Sequence, residues 1–178
     1  MVLLIKASEL TKNSPLGGSI DPDKYASCIW DAQMLHLEPL LGEALYDKIV
    51  SDFEDETLSG KYLELYTDYI KPFMIHQTAS NYLLIGAYQI NNGGIYKHTA
   101  ENAESVTSND INLLHSSQQS KADAYALRMK KWLCKSGNRL NEYYEFNQVV
   151  NRRSVSVGSF YAGKGIGKED CMWGDPYQ

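Results

Sequence analysis

The sequence predicts an all-α protein, a helical bundle of about five helices with a short N-terminal strand and an extended C-terminal arm. Two observations predict this class. Apolar residues recur at helical spacing through most of residues 1–146. After Asn147 the pattern changes to small, β-branched and aromatic residues typical of extended chain. We therefore assign residues 1–146 to a body and residues 147–178 to an arm.

The chain begins with the apolar run VLLI at 2–5, which predicts a short strand or a segment that docks on the body. Pro15, Gly17 and Gly18 predict a turn. Asp21 followed by Pro22 predicts a helix start, because Asp is a favoured N-cap and Pro is tolerated at the first helical position. The apolar face of that helix carries Tyr25, Cys28, Ile29, Ala32 and Leu35.

The middle of the body predicts further helices. Gly42 punctuates the chain, and EALYDKIVSDFED predicts a helix with Leu45, Ile49 and Phe53 on its apolar face. The next apolar-periodic run covers residues 61–90 and contains Pro72. Since proline disrupts a helix interior, we expect two helices that meet at Lys71–Pro72.

A long polar loop or β-ribbon is predicted near 91–106, because Asn-Asn-Gly-Gly is a turn signal and IYKHT suits a short strand. Thr107 and Asp110 resemble a capping box at the start of a long helix. This helix carries Ile111, Leu114, Ala122, Tyr125, Met129, Trp132 and Leu133 and ends at Gly137. A short helix over residues 140–146 completes the body.

The charge balance excludes a DNA-gripping domain. The net charge is −5, and residues 1–146 contain 19 of the 22 acidic residues but 13 of the 17 Lys and Arg residues. Such an acidic body repels a phosphate backbone. The apolar N-terminal run is too short for a signal peptide, and no window reaches the ~20 apolar residues of a membrane span. We expect a soluble protein without a membrane partner.

The stretch GSFYAGKG, residues 158–165, comes close to the phosphate-binding loop GxxxxGK[ST]. Gly165 stands where that loop needs a hydroxyl for Mg²⁺. Only thirteen residues follow it, and these include two glycines and a proline, which leaves no room for the long helix that should receive the phosphates. A glycine-hinged segment is the better interpretation.

No catalytic or metal site is predicted. His36, His76, His98 and His115 lie too far apart in sequence to share a helical turn, and no cysteine stands at ligand spacing. The acidic stretch DFEDE lacks the alternation and central glycine of a calcium loop. We expect a protein that is not an enzyme and has no cofactor.

The arm supplies the candidate interaction residues. Arg152 and Arg153 predict either a solvated pair or an anchor for an acidic surface, because Arg makes bidentate contacts and is enriched at interfaces. The aromatic candidates can equally insert into a partner or fold back on the body. They are Phe160, Tyr161, Trp173 and Tyr177.

Three stretches together resemble a known class of protein. They are SELTKNSPLGG with the helix that follows it, PLLGEALYDKI as the most specific piece, and YIKPFMIHQTASNYLLIGAYQINNGG followed by KADAYALRMKKWLCKSGNRLNEY. The chain resembles the head–tail connector proteins (head-completion, adaptor or ring proteins) of tailed bacteriophages that infect Bacteroides-type gut bacteria. The resemblance covers roughly residues 1–146.

The resemblance implies a virion component at the capsid vertex, assembled in the host bacterial cytoplasm. Its implied partners are the portal protein, neighbouring copies of itself in a ring, usually of twelve, and the next tail or ring protein. Genomic DNA would pass through the channel without specific binding. Two alternatives stay open: another neck or tail-completion protein of the virion, or a small nucleotide-binding protein that uses residues 158–165.

Overall fold

In the computed structural model, the residues described are 2–17, 22–86, 88–91, 94–97 and 108–143. This part of the chain is mostly helical, in agreement with the predicted all-α class. Its buried core is one continuous cluster of aliphatic and aromatic side chains drawn from every long helix. The predicted body is described as far as Tyr143, and the predicted arm lies outside the described residues.

The predicted N-terminal strand is wrong, and the docked segment that we weighed against it is what forms. Among the described residues, the chain over 2–6 has no strand neighbour. Side chains bind its backbone instead. The Leu4 N–H donates to Oε1 of Gln33 (2.8 Å), and the Leu4 carbonyl accepts from the Tyr66 hydroxyl (2.7 Å). Buried peptide groups need such partners when no ladder supplies them.

Helix α1, Ala7–Asn13, follows directly and was not predicted. The Glu9 carboxylate accepts from the Lys6 N–H (2.9 Å), which caps the first turn. Leu10 is the residue that α1 buries. Glu9 also forms a salt bridge with Lys71, and this contact ties α1 to the later helices.

The next helical run contains α2 (Pro22–Asp31), a π-helical segment that we name π1 (Ala32–Leu37), and α3 (Glu38–Leu41). The Glu38 N–H bonds to the Gln33 carbonyl five residues back, which marks the wider π turn. The extra residue of the π turn rotates the side chains that follow it, so the apolar face predicted to include Leu35 is wrong beyond Ala32. Gln33 and Leu37 are fully buried, whereas Leu35 is 67% exposed.

Gly42 separates α3 from α4 (Glu43–Glu54). Its backbone angles, φ 80° and ψ 152°, lie in a region that only glycine adopts readily. Its N–H still bonds to the Glu38 carbonyl (2.8 Å), and its carbonyl accepts from the Tyr46 N–H (3.0 Å). Gly42 therefore turns the chain sharply without leaving its peptide groups unpaired.

A second helical run contains α5 (Gly60–Leu65), a π-helical segment that we name π2 (Tyr66–Ile70), and α6 (Lys71–Ile85). As predicted, a new α-helix begins at Lys71 with Pro72 in its first turn, although the helical backbone continues without a break from the π-helical segment before it. The Lys71 N–H bonds to the Tyr66 carbonyl five residues back. The wider π turn accommodates a proline that has no N–H and that would crowd the carbonyl of an α turn.

Strands β1 (Tyr88–Asn91) and β2 (Gly94–Lys97) pair in an antiparallel hairpin after α6. The remainder of the loop or ribbon predicted near 91–106 lies outside the described residues. Helix α7 (Ser108–Cys134) then packs along α6 in the most extensive helix pair of the described chain. Because Ser80 meets His115 and His76 meets Gln118, α6 and α7 run antiparallel.

The end of the body packs against α5. A 3₁₀ turn over Ser136–Asn138 follows α7, and Lys61 donates to the Gly137 carbonyl. The Glu142 carboxylate accepts from the Tyr62 hydroxyl (3.1 Å), and Tyr143 is buried. The described chain thus ends beside the first turn of α5.

Candidate functional site

The six interface residues predicted from the sequence lie outside the described residues, as does the near-phosphate loop at 158–165. They are Arg152, Arg153, Phe160, Tyr161, Trp173 and Tyr177. The features that can serve a function in the described body lie on the α6–α7 pair and on the π1–α3 run beside it.

The first feature is a groove of about 380 Å³ between π1–α3, α6 and α7. Leu35 of π1 and Leu127 of α7 both line it, and they are 67% and 54% exposed. Phe73 supplies a buried apolar wall. Large aliphatic side chains with this much exposure beside a concave surface are typical of a site that a partner covers.

The groove has a polar side as well. Gln77 and Gln119 hydrogen-bond each other reciprocally through their amides, both at 3.3 Å. Gln119 also accepts from Ser80 (3.1 Å) and donates to Asp123 (3.0 Å). Gln77, Gln119 and Asp123 all line the groove. Amide and carboxylate groups beside apolar walls suit a peptide, which offers both side chains and backbone hydrogen-bonding groups.

The second feature is a strip of stacked rings and one cation on the other flank of α7. Arg128 lies 5.6 Å from the Tyr69 ring centroid and 5.3 Å from that of Tyr125. The Tyr125 ring stacks on His76 at 5.7 Å, and Tyr69 lies 5.6 Å from Trp132. We name this cluster the aromatic strip. Ala122 is fully buried and marks the middle of the buried face of α7. At about 100° per residue, Tyr125 and Arg128 lie to one side of that face. The groove residues Asp123 and Leu127 lie to its other side.

The third feature is an apolar tip where α6 ends and α7 begins. It consists of Leu84, Ile85, Leu113 and Leu114, all of them exposed. Leu113, at 69%, is the most exposed large apolar side chain in the described residues. Exposed apolar clusters of this kind mark contact surfaces more often than isolated exposed leucines do.

Two tyrosine hydroxyls near the N-terminal segment have pKa values above the usual value. Burial, and then the nearby Glu9 carboxylate, raise the pKa of the Tyr66 hydroxyl from 10.0 to about 12. Burial also raises the pKa of Tyr46, although its hydrogen bond with Gln33 opposes that rise. Both hydroxyls therefore stay protonated at neutral pH. The Tyr66 hydroxyl donates to the Leu4 carbonyl, whereas the Tyr46 hydroxyl accepts from Gln33 Nε2 (3.1 Å) and donates to the Met34 sulfur (3.6 Å).

Among the described residues, no three His, Cys, Asp or Glu side chains come together in a group that could hold a metal ion. In the same residues, every helix is too short or too polar to cross a bilayer.

The sequence did not reveal the groove, because it placed Leu35 on the buried face and treated the glutamines as ordinary helix residues. One signal could have pointed to it. A proline stands shortly after each of two apolar helical patterns: Pro39 follows the pattern of the first run, and Pro72 follows that of the second run. Each proline stands two residues after a π-helical segment, and such segments re-aim the side chains around them.

No curated protein and no solved structure matches the chain. One family model does match, over residues 37–154, and it is described as a family of unknown function (DUF6712). The matched region contains Gly42, most of the groove, the aromatic strip and the Arg152–Arg153 pair. It covers about two thirds of the chain, and the protein therefore belongs to the DUF6712 family.

Proposed function

We propose that this protein is a structural virion component, a subunit of the head–tail connector ring that docks beneath the portal of a tailed bacteriophage. The observation that carries the proposal is the surface of the α6–α7 pair, which exposes large apolar side chains and an arginine set between half-buried tyrosines. A ring subunit needs two different contact surfaces, one for each neighbour, in a heterologous interface that closes on itself. The aromatic strip and the groove lie on opposite flanks of α7 and meet this need.

The composition of these surfaces supports the same proposal. Tyr, Trp and Arg are enriched where binding energy concentrates at interfaces. The aromatic strip places the exposed Arg128 between the half-buried rings of Tyr69 and Tyr125. The apolar tip supplies a further surface, at the end of the helix pair, which suits a contact with the portal or with the next ring.

The charge of the chain is compatible with a DNA channel. A net charge of −5 gives little attraction to phosphates, so DNA could pass without being held. Membership of the virion and the place at the capsid vertex belong to this proposal, as do the portal, the neighbouring subunits and the next tail or ring protein as partners. A neck or tail-completion protein would use the same kind of surface and would differ in its position along the tail axis.

The test is native mass spectrometry and negative-stain imaging of the full chain mixed with a portal ring. We expect a ring of subunits on the portal. Leu113→Asp should abolish the ring, because it places a charge on the apolar tip. The matched control is Ser117→Asp, which adds the same charge one turn further along α7 at an exposed polar position.

The proposal fails if the full chain stays monomeric and ignores portals. A ring that forms on a tail-tube or neck protein but not on a portal would favour the neck alternative. Nucleotide binding is tested separately, since a ligand that binds the folded state raises the melting temperature. A melting temperature unchanged by ATP and Mg²⁺ would exclude the nucleotide-binding alternative.

A further inference from the structure

Leu35 and Leu127, both more than half exposed, line the groove between π1–α3, α6 and α7. Its polar side carries amide, carboxylate and ammonium groups, which include those of Gln119, Asp123 and Lys130. An occupant that suits both sides must bring apolar side chains and peptide groups together. An extended peptide with large aromatic residues has this chemistry. The C-terminal arm of this chain contains such residues: Phe160 and Tyr161 are adjacent, and Trp173 and Tyr177 follow further on.

We infer that the groove is the docking site of the protein's own C-terminal arm, with Phe160 and Tyr161 as the anchoring side chains. This inference concerns the single chain before assembly, because a ring neighbour can cover the groove only after the arm has left it. Phe160 and Tyr161 are adjacent aromatic residues flanked by Gly158 and Gly163. The glycines allow the backbone to approach a surface closely, and the Tyr161 hydroxyl can donate to the exposed Asp123 carboxylate, which lines the groove.

The starting point of the arm favours its own groove over that of a second copy. The described chain ends at Tyr143, beside Glu142, which Tyr62 binds. Tyr62 precedes the groove residue Phe73 by eleven residues of helix, or about 16 Å at the usual rise. Sixteen residues separate Tyr143 from Phe160. An unstructured chain of that length spans roughly 22 Å on average, which matches the distance to be covered.

A tether of matched length also has an energetic consequence. It holds the aromatic pair at an effective concentration in the millimolar range next to the groove. A second copy at micromolar concentration cannot compete with that unless another contact holds it in place. The volume of about 380 Å³ is at the lower end of the range for binding sites, which suits one or two aromatic side chains.

The test places the photoreactive amino acid p-benzoylphenylalanine at position 127 of the full chain. Position 127 is exposed, so the replacement is compatible with folding. Equal amounts of ¹⁵N-labelled and unlabelled chains are mixed at about 5 μM, irradiated and digested, and the cross-linked peptides are mapped by mass spectrometry. We expect cross-links to peptides that contain Phe160 and Tyr161, with both halves carrying the same isotope.

The control places the same photoreactive group at position 113, on the same helix but at the apolar tip, where no cross-link to the arm is expected. The double substitution Phe160→Ser and Tyr161→Ser should reduce the position-127 cross-link at least tenfold. Cross-links of mixed isotope would overturn the inference in favour of exchange between copies. Cross-links from position 127 to other parts of the chain, or none at all, would overturn it outright.

Discussion

Gln33 shows how one side chain can replace a missing strand neighbour. Its amide accepts from the Leu4 N–H (2.8 Å) and donates to the Val2 carbonyl (3.2 Å) and to the Tyr46 hydroxyl (3.1 Å). The side chain is fully buried. Satisfied in this way, a buried amide fixes one position of the N-terminal segment relative to the helices.

Gln33→Leu should lower the free energy of unfolding by about 2–3 kcal/mol, because buried groups of the N-terminal segment lose their partner while the volume hardly changes. Urea unfolding followed by circular dichroism measures this. Thr78→Val is the matched control. Its side chain is equally buried, but its hydroxyl has no partner among the described residues. We expect that variant to be neutral or slightly stabilising, and an equal loss in both variants would contradict the role given to Gln33.

Tyr66 predicts a specific dependence of stability on alkaline pH. Burial raises the pKa of its hydroxyl from 10.0 to about 12, so the folded state prefers the neutral form. This contribution is complete below pH 10 and is lost as the pH rises toward 12. At pH 11 it should be smaller than at pH 8 by about 1.4 kcal/mol, the equivalent of one pKa unit.

Urea unfolding at pH 8 and pH 11 tests this, with Tyr66→Phe as the comparison. The variant loses the hydrogen bond to the Leu4 carbonyl, so it should be less stable at pH 8. Its further loss between the two pH values should be smaller than that of the natural chain. The comparison isolates Tyr66 because burial also raises the pKa of Tyr25, Tyr46, Tyr62 and Tyr82 in both proteins. An identical loss in the two proteins would show that the Tyr66 hydroxyl is not buried as described.

At the scale of the element, the junction between α3 and α4 depends on Gly42. With φ 80° and ψ 152°, a residue with a Cβ would be strained there. Gly42→Ala should therefore lower the free energy of unfolding by about 1–3 kcal/mol, as thermal and urea unfolding would show.

Gly137→Ala is the control for that substitution. A Cβ at Gly137 meets nothing within 4 Å, and its φ is not in the left-handed region. We expect no loss of stability, because alanine fits there without strain. If both substitutions cost the same, the backbone conformation at Gly42 is not the reason for its presence.

The helices could be predicted wherever their apolar residues recur at the regular spacing of 3.6 residues. Tyr25, Cys28, Ile29 and Ala32 are buried as the pattern indicates, and Gly42 separates two helices. The pattern failed beyond Ala32, because one extra residue in a π turn moved Gln33 and Leu37 inward and Leu35 outward. A period of 3.6 contains no information about such an insertion, and the polar Gln33 gave no reason to expect burial.

The groove could not be predicted for the same reason, since one of its walls consists of a residue that the regular period buries. Its other wall, Leu127 on α7, became recognisable only when the antiparallel pairing of α6 and α7 placed Gln77 beside Gln119. Tertiary pairing of this kind is not encoded in local spacing. The arm residues chosen from composition stay predictions, because they lie outside the described residues.

For the whole molecule, the charge predicts how it behaves toward DNA. Most of the acidic side chains belong to the body, and the net charge is −5. Fluorescence anisotropy with a labelled duplex should show no binding up to about 100 μM protein at 0.15 M salt, a concentration at which basic proteins bind DNA non-specifically.

The control for this measurement is the double variant Arg152→Ala and Arg153→Ala, which removes the compact basic pair. It should behave like the natural chain. Micromolar binding that weakens steeply with salt would contradict the expectation. If that binding disappeared in the double variant, the basic pair would be a phosphate-binding site and the picture of a channel that lets DNA slide would need revision.

The two π-helical segments can also be understood as phase shifts. Each inserts one residue into a helical run, and one residue corresponds to a rotation of about 100° around the helix axis. Without the insertion in π2, α5 could keep Tyr62 against Glu142 only if α6 turned Phe73 and Gln77 away from the groove. A single-residue deletion within 66–70 would therefore leave a helix of normal appearance that faces the wrong way. The insertion therefore determines which parts of the protein α5 and α6, the two halves of this continuous helical run, can each contact.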